Sequence, residues 1–312
     1  MNKPRRAPRR KVDGVLLLDK PLGISSNAAL QKARWLFNAA KAGHTGTLDP
    51  LATGLLPLCF GEATKFSSTL LDADKTYLAT VKLGVVTATA DAEGQVLATH
   101  PVTATEAEVR AVLVRFTGAI EQLPPMYSAL KRDGTPLYEL ARQGIEVDRT
   151  PRRVTIHALD LLAWRGENFD LTVTCSKGTY VRTLAADIGS ALGCGAHLAA
   201  LRRTRVGMLD LTQAITLEAI EALPAEARDS LLQPPDTLLA ELPIAQLNEL
   251  EAAHILKGQP VRSTHVTGTP SCQRRLLASS RQYRLFGPQG FIGLGEVTAD
   301  GWLAAKRLIA TN

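Results

Sequence analysis

An aspartate followed by a proline, Asp49-Pro50, stands in the segment KAGHTGTLDPLATG (residues 41–54), flanked by Gly43, Gly46 and Gly54. Loops held on a rigid scaffold are where sites concentrate, although Asp-Pro also initiates ordinary turns and such glycines can serve backbone geometry alone. A second group, Lys177-Gly178-Thr179-Tyr180-Val181-Arg182, lies where an alternating strand pattern runs into a helical one. An arginine projecting from that turn is a natural partner for a loop carboxylate, because its planar fork bonds both oxygens at once. The same pairing also serves as a plain structural ion pair. His44 and Tyr77 are further candidates with ordinary alternatives, a loop histidine and an aromatic on the core face of a strand.

Two phosphate chemistries fail on spacing. A Walker-type loop needs G-x-x-x-x-G-K-[ST], and neither the lysine nor the spacing is present around Asp49. An aspartyl-phosphate nucleophile stands on the other side of a Thr-Gly-Thr, whereas Thr45-Gly46-Thr47 precedes Asp49. With no cluster of acids for Mg²⁺ either, a nucleotide-dependent enzyme is disfavoured.

The elements that must position these groups can be read as patterns. Val12 to Leu18 is a short apolar run of strand character, broken by the turn Lys20-Pro21-Leu22-Gly23. Ser25 and Ser26 offer N-caps for a helix carrying Leu30, Ala33, Trp35, Leu36 and Phe37, and the stretch from Lys41 to Gly54 reads as a loop. Tyr77 to Val86 reads as a strand, Thr105 with Glu108 as the capping box of a helix through Arg115, and Leu137 to Gln143 as a short helix. Phe169, Leu171, Val173 and Cys175 alternate with polar residues, the period of a half-buried strand, and a Gly turn then opens an amphipathic helix that stops at Gly193. The prolines of Gln233 to Pro243 interrupt both periods and mark the expected domain boundary. Beyond it, a helix from Glu249 to Lys257 and strands at Leu276–Ala278, Tyr283–Phe286, Phe291–Val297 and Trp302–Ile309 imply a small, mostly β module.

With 312 residues, 45% hydrophobic and 21% charged, the chain has enough apolar side chains for a sizeable core and a length that suggests about two domains. No apolar run approaches the ~20 residues that span a bilayer. Cys59, Cys175, Cys194 and Cys272 are scattered, with no zinc or redox spacing, which fits a reducing cytoplasm. The net charge is +6, yet six cations and no acid fall within the first eleven residues, so the remaining body is formally neutral. Residues 1–11 are expected to form a mobile basic tail. Polyanion binding by the body then rests on clusters such as Arg202, Arg203 and Arg205, for which binding and simple solvation weigh about equally, or Arg152–Arg153, Lys131–Arg132 and Arg274–Arg275, for which solvation comes first.

In combination, GVLLLDKPLGISS (14–26), AGHTGTLDPLATGLLPLCFGEATK (42–65), DKTYLATVKLGVVTATADAEG (74–94), PPMYSALKRDGTPLYELAR (124–142), CSKGTYVRTLAADIG (175–189) and LRRTRVG (201–207) resemble the TruB family of pseudouridine synthases. The blocks occur in order across residues 12–240, and residues 241–312 more diffusely resemble the small β domain of PUA type that many members carry. The resemblance implies an α+β fold, a mixed sheet core with peripheral helices plus the β module. It implies an isomerase that converts uridine to pseudouridine at position 55 in the T-loop of tRNA, in the cytoplasm, without metal or organic cofactor, membrane or obligate protein partner. By the same resemblance Asp49 matches the essential aspartate, Arg182 its partner, and Tyr77 the residue that stacks on the target base. His44 matches a substrate-contacting histidine, Tyr180 and Leu201 line the uridine pocket, and residues 124–152 match a mobile segment that closes over RNA.

These residue types suit the reaction. The N1–C1′ bond must break, the uracil turn, and C5 join C1′, so the flipped-out base must be held on a surface such as an aromatic ring. The sugar carbon gains positive character as the bond breaks, and a fixed carboxylate stabilises it. Attack on C1′, attack on C6, and removal of a ribose proton are all open to Asp49. The competing reading is a non-catalytic RNA chaperone or tRNA-binding adaptor, which needs the basic clusters but not Asp49.

Overall fold

A computed structural model describes residues 8–128, 130–262 and 282–310. Its centre is a ten-stranded mixed sheet. Along the main path the strands run Ile215–Thr216, Gly14–Lys20, Ala52–Phe60, Ala196–Val206, Lys75–Leu83, Asn168–Cys175, Arg152–Arg165 and Gly118–Gln122. The first of these pairs with Gly14–Lys20 in parallel, as does Ala52–Phe60 with Ala196–Val206, and the remaining neighbours on this path are antiparallel.

The continuous apolar run in Gly14–Lys20 reflects burial on both faces of the sheet. Leu16 and Leu18 point into one core with Ala29, Leu30 and Ala33 of the Ser26–Leu36 helix. Val15 and Leu17 point the other way, into a second core with Phe66, Leu238 and Leu239. Asn168–Cys175 obeys the simpler alternation: Phe169, Leu171, Val173 and Cys175 are buried and the residues between them partly so.

Ser25 caps the first helix, and the capping box of Thr105 and Glu108 starts the helix Glu106–Arg115. Trp35 departs from the expected apolar face. It is exposed, with the Lys32 ammonium 5.4 Å from its ring. The loop expected from Lys41 to Gly54 is shorter than its composition suggests, because Ala42–His44 pairs antiparallel with Leu58–Phe60 and the next strand begins at Ala52. The strand expected from Tyr77 to Val86 breaks at Gly84, whose φ is +79°, and Val85–Thr87 pairs instead with Val96–Thr99.

Of the basic N-terminal segment, residues 1–7 lie outside the described residues. Arg10 contradicts the expected mobile tail: it bridges to Ala39 and pairs with Asp229 through both terminal nitrogens. The proline-rich stretch after Gln233 is also packed, with Leu238 and Leu239 buried.

A second, five-stranded sheet follows, in the order Ile244–Gln246, Gln282–Gly287, Gly290–Val297, Trp302–Leu308 and Val261–Arg262. It packs with the helix Glu249–Leu256 around Leu247, Ile255, Leu285 and Leu303. Phe291 of this sheet meets Phe66 edge-on at 5.6 Å, which joins the module to the second core. The strand expected at Leu276–Ala278 and the pair Arg274–Arg275 lie outside the described residues. Among the described residues no helix is long and apolar enough to cross a membrane.

Candidate active site

The loop that carries Asp49 is pinned from below. Leu48 is buried in the core, and the enclosed Ser26 hydroxyl donates to its carbonyl at 2.9 Å while accepting from its N–H at 2.7 Å. The Ala52 N–H closes the turn onto the Asp49 carbonyl at 3.0 Å, and the Gly23 N–H holds the Pro50 carbonyl at 2.9 Å. An Asp-Pro turn is therefore present, and it serves to lift the Asp49 side chain clear of a fixed backbone.

Arg182 enters from the start of the helix Val181–Ala191. Gly178, at φ +79°, turns the chain from the preceding strand. The buried Gln122 amide then fixes the entry, accepting from the Tyr180 N–H at 3.0 Å and donating to the Tyr180 carbonyl at 3.3 Å. The guanidinium is enclosed and bonded on all sides. Its Nε lies 3.0 Å from Asp49 Oδ2 and its Nη1 3.4 Å from Asp91 Oδ2, while it donates to the carbonyls of Tyr127 at 2.7 Å and Thr89 at 3.3 Å. Asp91 is only 2% exposed and is itself held by the Thr89 hydroxyl and the Glu93 N–H. One buried cation is thus shared by two carboxylates, a group with one net negative charge.

Register brings in the opposite wall. Tyr77 lies across from Arg203 on one neighbouring strand and Val173 on the other, while Leu201, two residues before Arg203, pairs with Ala79. Residues two apart on a strand share a face, so Tyr77, Leu201 and Arg203 present themselves together. They enclose, with Asp49, Tyr180 and Arg182, a cavity of about 270 Å³.

Burial pushes the Asp49 carboxyl above its ordinary range, Arg182 and Lys20 pull it back down, and Asp91 pushes it up. Its side chain keeps 42% of its surface accessible. The Tyr77 hydroxyl is raised by burial against the opposing charge of Arg203. Lys20 is fully enclosed, donating to the carbonyls of Pro21 and Ile24, and burial lowers its ammonium to about 8.

Of the six residues singled out in the sequence, Asp49, Arg182, Tyr77, Tyr180 and Leu201 line this one cavity. His44 does not: it sits on the short strand paired with Leu58, its Nδ1 buried without a partner among the described residues and its pKa lowered by burial and by Arg203. Three charged residues of the site escaped sequence reading. Asp91 sits in a polar stretch with the look of any turn, and Lys20 was read only as a turn residue. Arg203 was grouped with a surface cluster, yet it is enclosed, while Arg202 pairs with Asp19 and Arg205 with Asp210. The alternation of Leu201, Arg202 and Arg203 was the available signal, since it separates the two arginines onto opposite faces.

The family model "TruB family pseudouridylate synthase (N terminal domain)" matches residues 34–181, and a model of the tRNA pseudouridylate synthase B C-terminal domain matches residues 182–240. A third, "Pseudouridine synthase II TruB, C-terminal", matches residues 243–309. The tRNA pseudouridine synthase B of Azoarcus sp. strain BH72 is 60% identical over 308 residues, covering 99% of this chain and 98% of that protein. That of Chromobacterium violaceum is 55% identical over 312 residues, covering 100% of this chain and 99% of its own. Among solved structures, a Cbf5-Nop10-Gar1 complex superposes with a TM-score of 0.70 at 24% identity, over 99% of this chain and 90% of the matched one, a likeness of fold.

Proposed function

The chain belongs to the TruB family of pseudouridylate synthases, and from that premise we propose that its central cavity is where uridine in tRNA is isomerised to pseudouridine, at position 55 of the T-loop. The observation that carries the assignment of the site is the meeting of Asp49, Arg182 and Tyr77 around one cavity. A base extracted from a folded loop loses a few kcal/mol of stacking, and an aromatic wall returns about 1–3 kcal/mol of it. Tyr77 supplies that wall, with Leu201 and Tyr180 beside it.

Once the base is seated, Asp49 faces the reacting sugar as a fixed anion. Its difficulty is to stay ionised when substrate excludes water, and Arg182, anchored by two backbone carbonyls as well as by Asp91, is the countercharge that keeps it so. The N1–C1′ bond breaks, the uracil rotates within the cavity, C5 bonds to C1′ and loses its hydrogen as a proton, and N1 takes up a proton, so that the product is an isomer of the substrate. Each of the three routes for Asp49, through C1′, C6 or a ribose proton, uses the same ionised carboxylate.

His44, away from the cavity wall, is assigned to the disrupted RNA loop rather than to the base. Residues 124–152 supply the segment that closes over RNA, residues 12–240 the catalytic unit, and residues 241–312 a further RNA-binding surface of PUA type. The working compartment is the cytoplasm, where tRNA is matured. Mass mapping of a defined tRNA transcript after incubation with the protein tests the reading. Pseudouridine at position 55 and nowhere else is expected, and an unmodified transcript that is nonetheless bound would leave only an RNA chaperone or adaptor.

A further inference from the structure

Two enclosed cations line the cavity beside Tyr77. Lys75, 8% exposed, stands two residues before it on the same strand, and Arg203, 1% exposed, lies across from it on the neighbouring strand. Their hydrogen bonds go to backbone carbonyls. Lys75 Nζ donates to Leu70 at 3.2 Å, Leu71 at 2.8 Å and Ala73 at 2.5 Å, and Arg203 donates to Leu55 at 2.8 Å and Gly46 at 3.3 Å. Among the described residues neither forms an ion pair, in contrast to Arg182 with its two carboxylates. Carbonyl dipoles anchor a cation but leave its net charge in place, and two buried like charges oppose folding. Retained beside a cavity, they point to an anion that arrives from outside. The charges that act on the Asp49 carboxyl are those of Arg182, Asp91 and Lys20, while Arg203 acts on Lys75 and on Tyr77. The cavity is therefore polarised, with an anion toward the sugar and cations on the wall that receives the base.

We infer that Lys75 and Arg203 are the electrostatic counterpart of Asp49, stabilising negative charge on the uracil while it is detached from the sugar. This rests on the cavity being the site of pseudouridine formation. When the N1–C1′ bond breaks, its electron pair stays with the base and is shared by N1, O2 and O4, while C1′ becomes positive. Attack on C6 instead sends the pair of the C5–C6 double bond toward O4. Each route places negative charge on the base, and cations fixed in advance stabilise charge that develops where water is excluded. The anion then gives an electron pair from C5 to C1′, C5 releases its hydrogen as a proton, and N1 takes one up. A cavity of about 270 Å³ is about 8 Å across, and a unit charge at that separation, at an effective dielectric of about 20, is worth about thirtyfold in rate.

The test uses the full-length protein and a T-loop transcript, with the single-turnover rate at saturation, Kd and melting temperature measured together. Lys75→Met removes one cation at similar side-chain length. It slows the reaction of uridine about ten- to thirtyfold near neutral pH, with Kd within about threefold because the Tyr77 ring still stacks. A transcript with 5-fluorouridine at position 55, followed as loss of the parent nucleoside after digestion, is slowed less than about threefold by the same change. Fluorine withdraws electrons and lets the ring bear the charge itself. Equal losses on the two substrates mark a purely structural role and overturn the proposal. Arg203→Lys gives an independent reading and carries the test where Lys75→Met is unfolded. Burial holds the enclosed Lys20 and Lys75 at about 8, so an ammonium at position 203 loses its charge in the same range. The rate of this variant relative to wild type then falls about five- to tenfold from about pH 7 to about pH 9. Lys20, His44, Lys75 and Tyr77, the titratable groups that feel position 203, are common to both proteins, so the ratio isolates the substituted side chain. A flat ratio overturns the proposal. A wild type that forms no pseudouridine refutes the functional reading itself, independently of the two cations.

Discussion

Removing Asp91 and removing Arg182 must displace the pH dependence in opposite directions. Arg182 lowers the Asp49 pKa against burial, and Asp91 raises it. The acid limb of the rate profile, where Asp49 becomes protonated, therefore moves to higher pH in Arg182→Met and to lower pH in Asp91→Asn. Arg182→Lys keeps the charge but cannot reproduce the fork, since a single ammonium does not span Asp49 at 3.0 Å, Asp91 at 3.4 Å and the Tyr127 carbonyl at 2.7 Å. Loss of the close ion pair with Asp49 corresponds to about 1.5–3 kcal/mol, or about a ten- to hundredfold slower reaction at the plateau, for Arg182→Lys. The assay is release of tritium from C5-labelled uridine in a tRNA transcript at saturating enzyme, followed from about pH 5 to pH 8. Arg182→Met leaves the enclosed Asp91 without its cation, so melting temperatures are recorded alongside, and Arg182→Lys with Asp91→Asn carries the test where the methionine variant is unfolded. Acid limbs that stay in place, or that move in the same direction in Asp91→Asn and Arg182→Met, would refute the shared-cation account.

Two further expectations concern the frame that holds the site. Burial holds Lys20 at about 8 against an ordinary 10.5. Between those values the unfolded chain binds the extra proton, so stability from this group rises with pH through the window and the increment is absent below it. Urea unfolding at each end should show the wild type gaining up to about 3 kcal/mol more than Lys20→Met across that range; parallel pH dependences would contradict the assignment. Gly54 has φ +97°, and a Cβ there would lie 2.3 Å from the Arg203 carbonyl oxygen and 2.9 Å from its backbone nitrogen. Gly54→Ala must therefore separate the parallel strands that seat Arg203, with a loss of about 2–4 kcal/mol in denaturant unfolding, and an unchanged midpoint would show that the pairing is not needed.

Much of the frame was legible in local pattern. The alternation of Phe169 to Cys175, the capping box at Thr105 and the Gly turn before Arg182 each rest on interactions within a few residues, and the strands and helices fall where those signals place them. What a linear pattern cannot carry is the joining of distant residues. Asp91 belongs to the site only because the stretch around it hydrogen-bonds to Leu198 and brings the carboxylate to a guanidinium ninety-one positions later in the chain. Composition misled where sign and burial diverge: Arg202 and Arg203 are adjacent cations, yet strand alternation sends one to Asp19 near the surface and the other into the interior. The expected tail likewise ended too late, because Arg10 finds Asp229, a partner more than two hundred residues away.

The most direct test of the central claim replaces one oxygen of the carboxylate at the cavity wall. Asp49→Asn preserves shape and should fold and bind tRNA as the native protein does, yet release none of the uracil C5 hydrogen and leave position 55 as uridine. Release at the native rate from that variant would contradict a mechanism centred on the ionised Asp49.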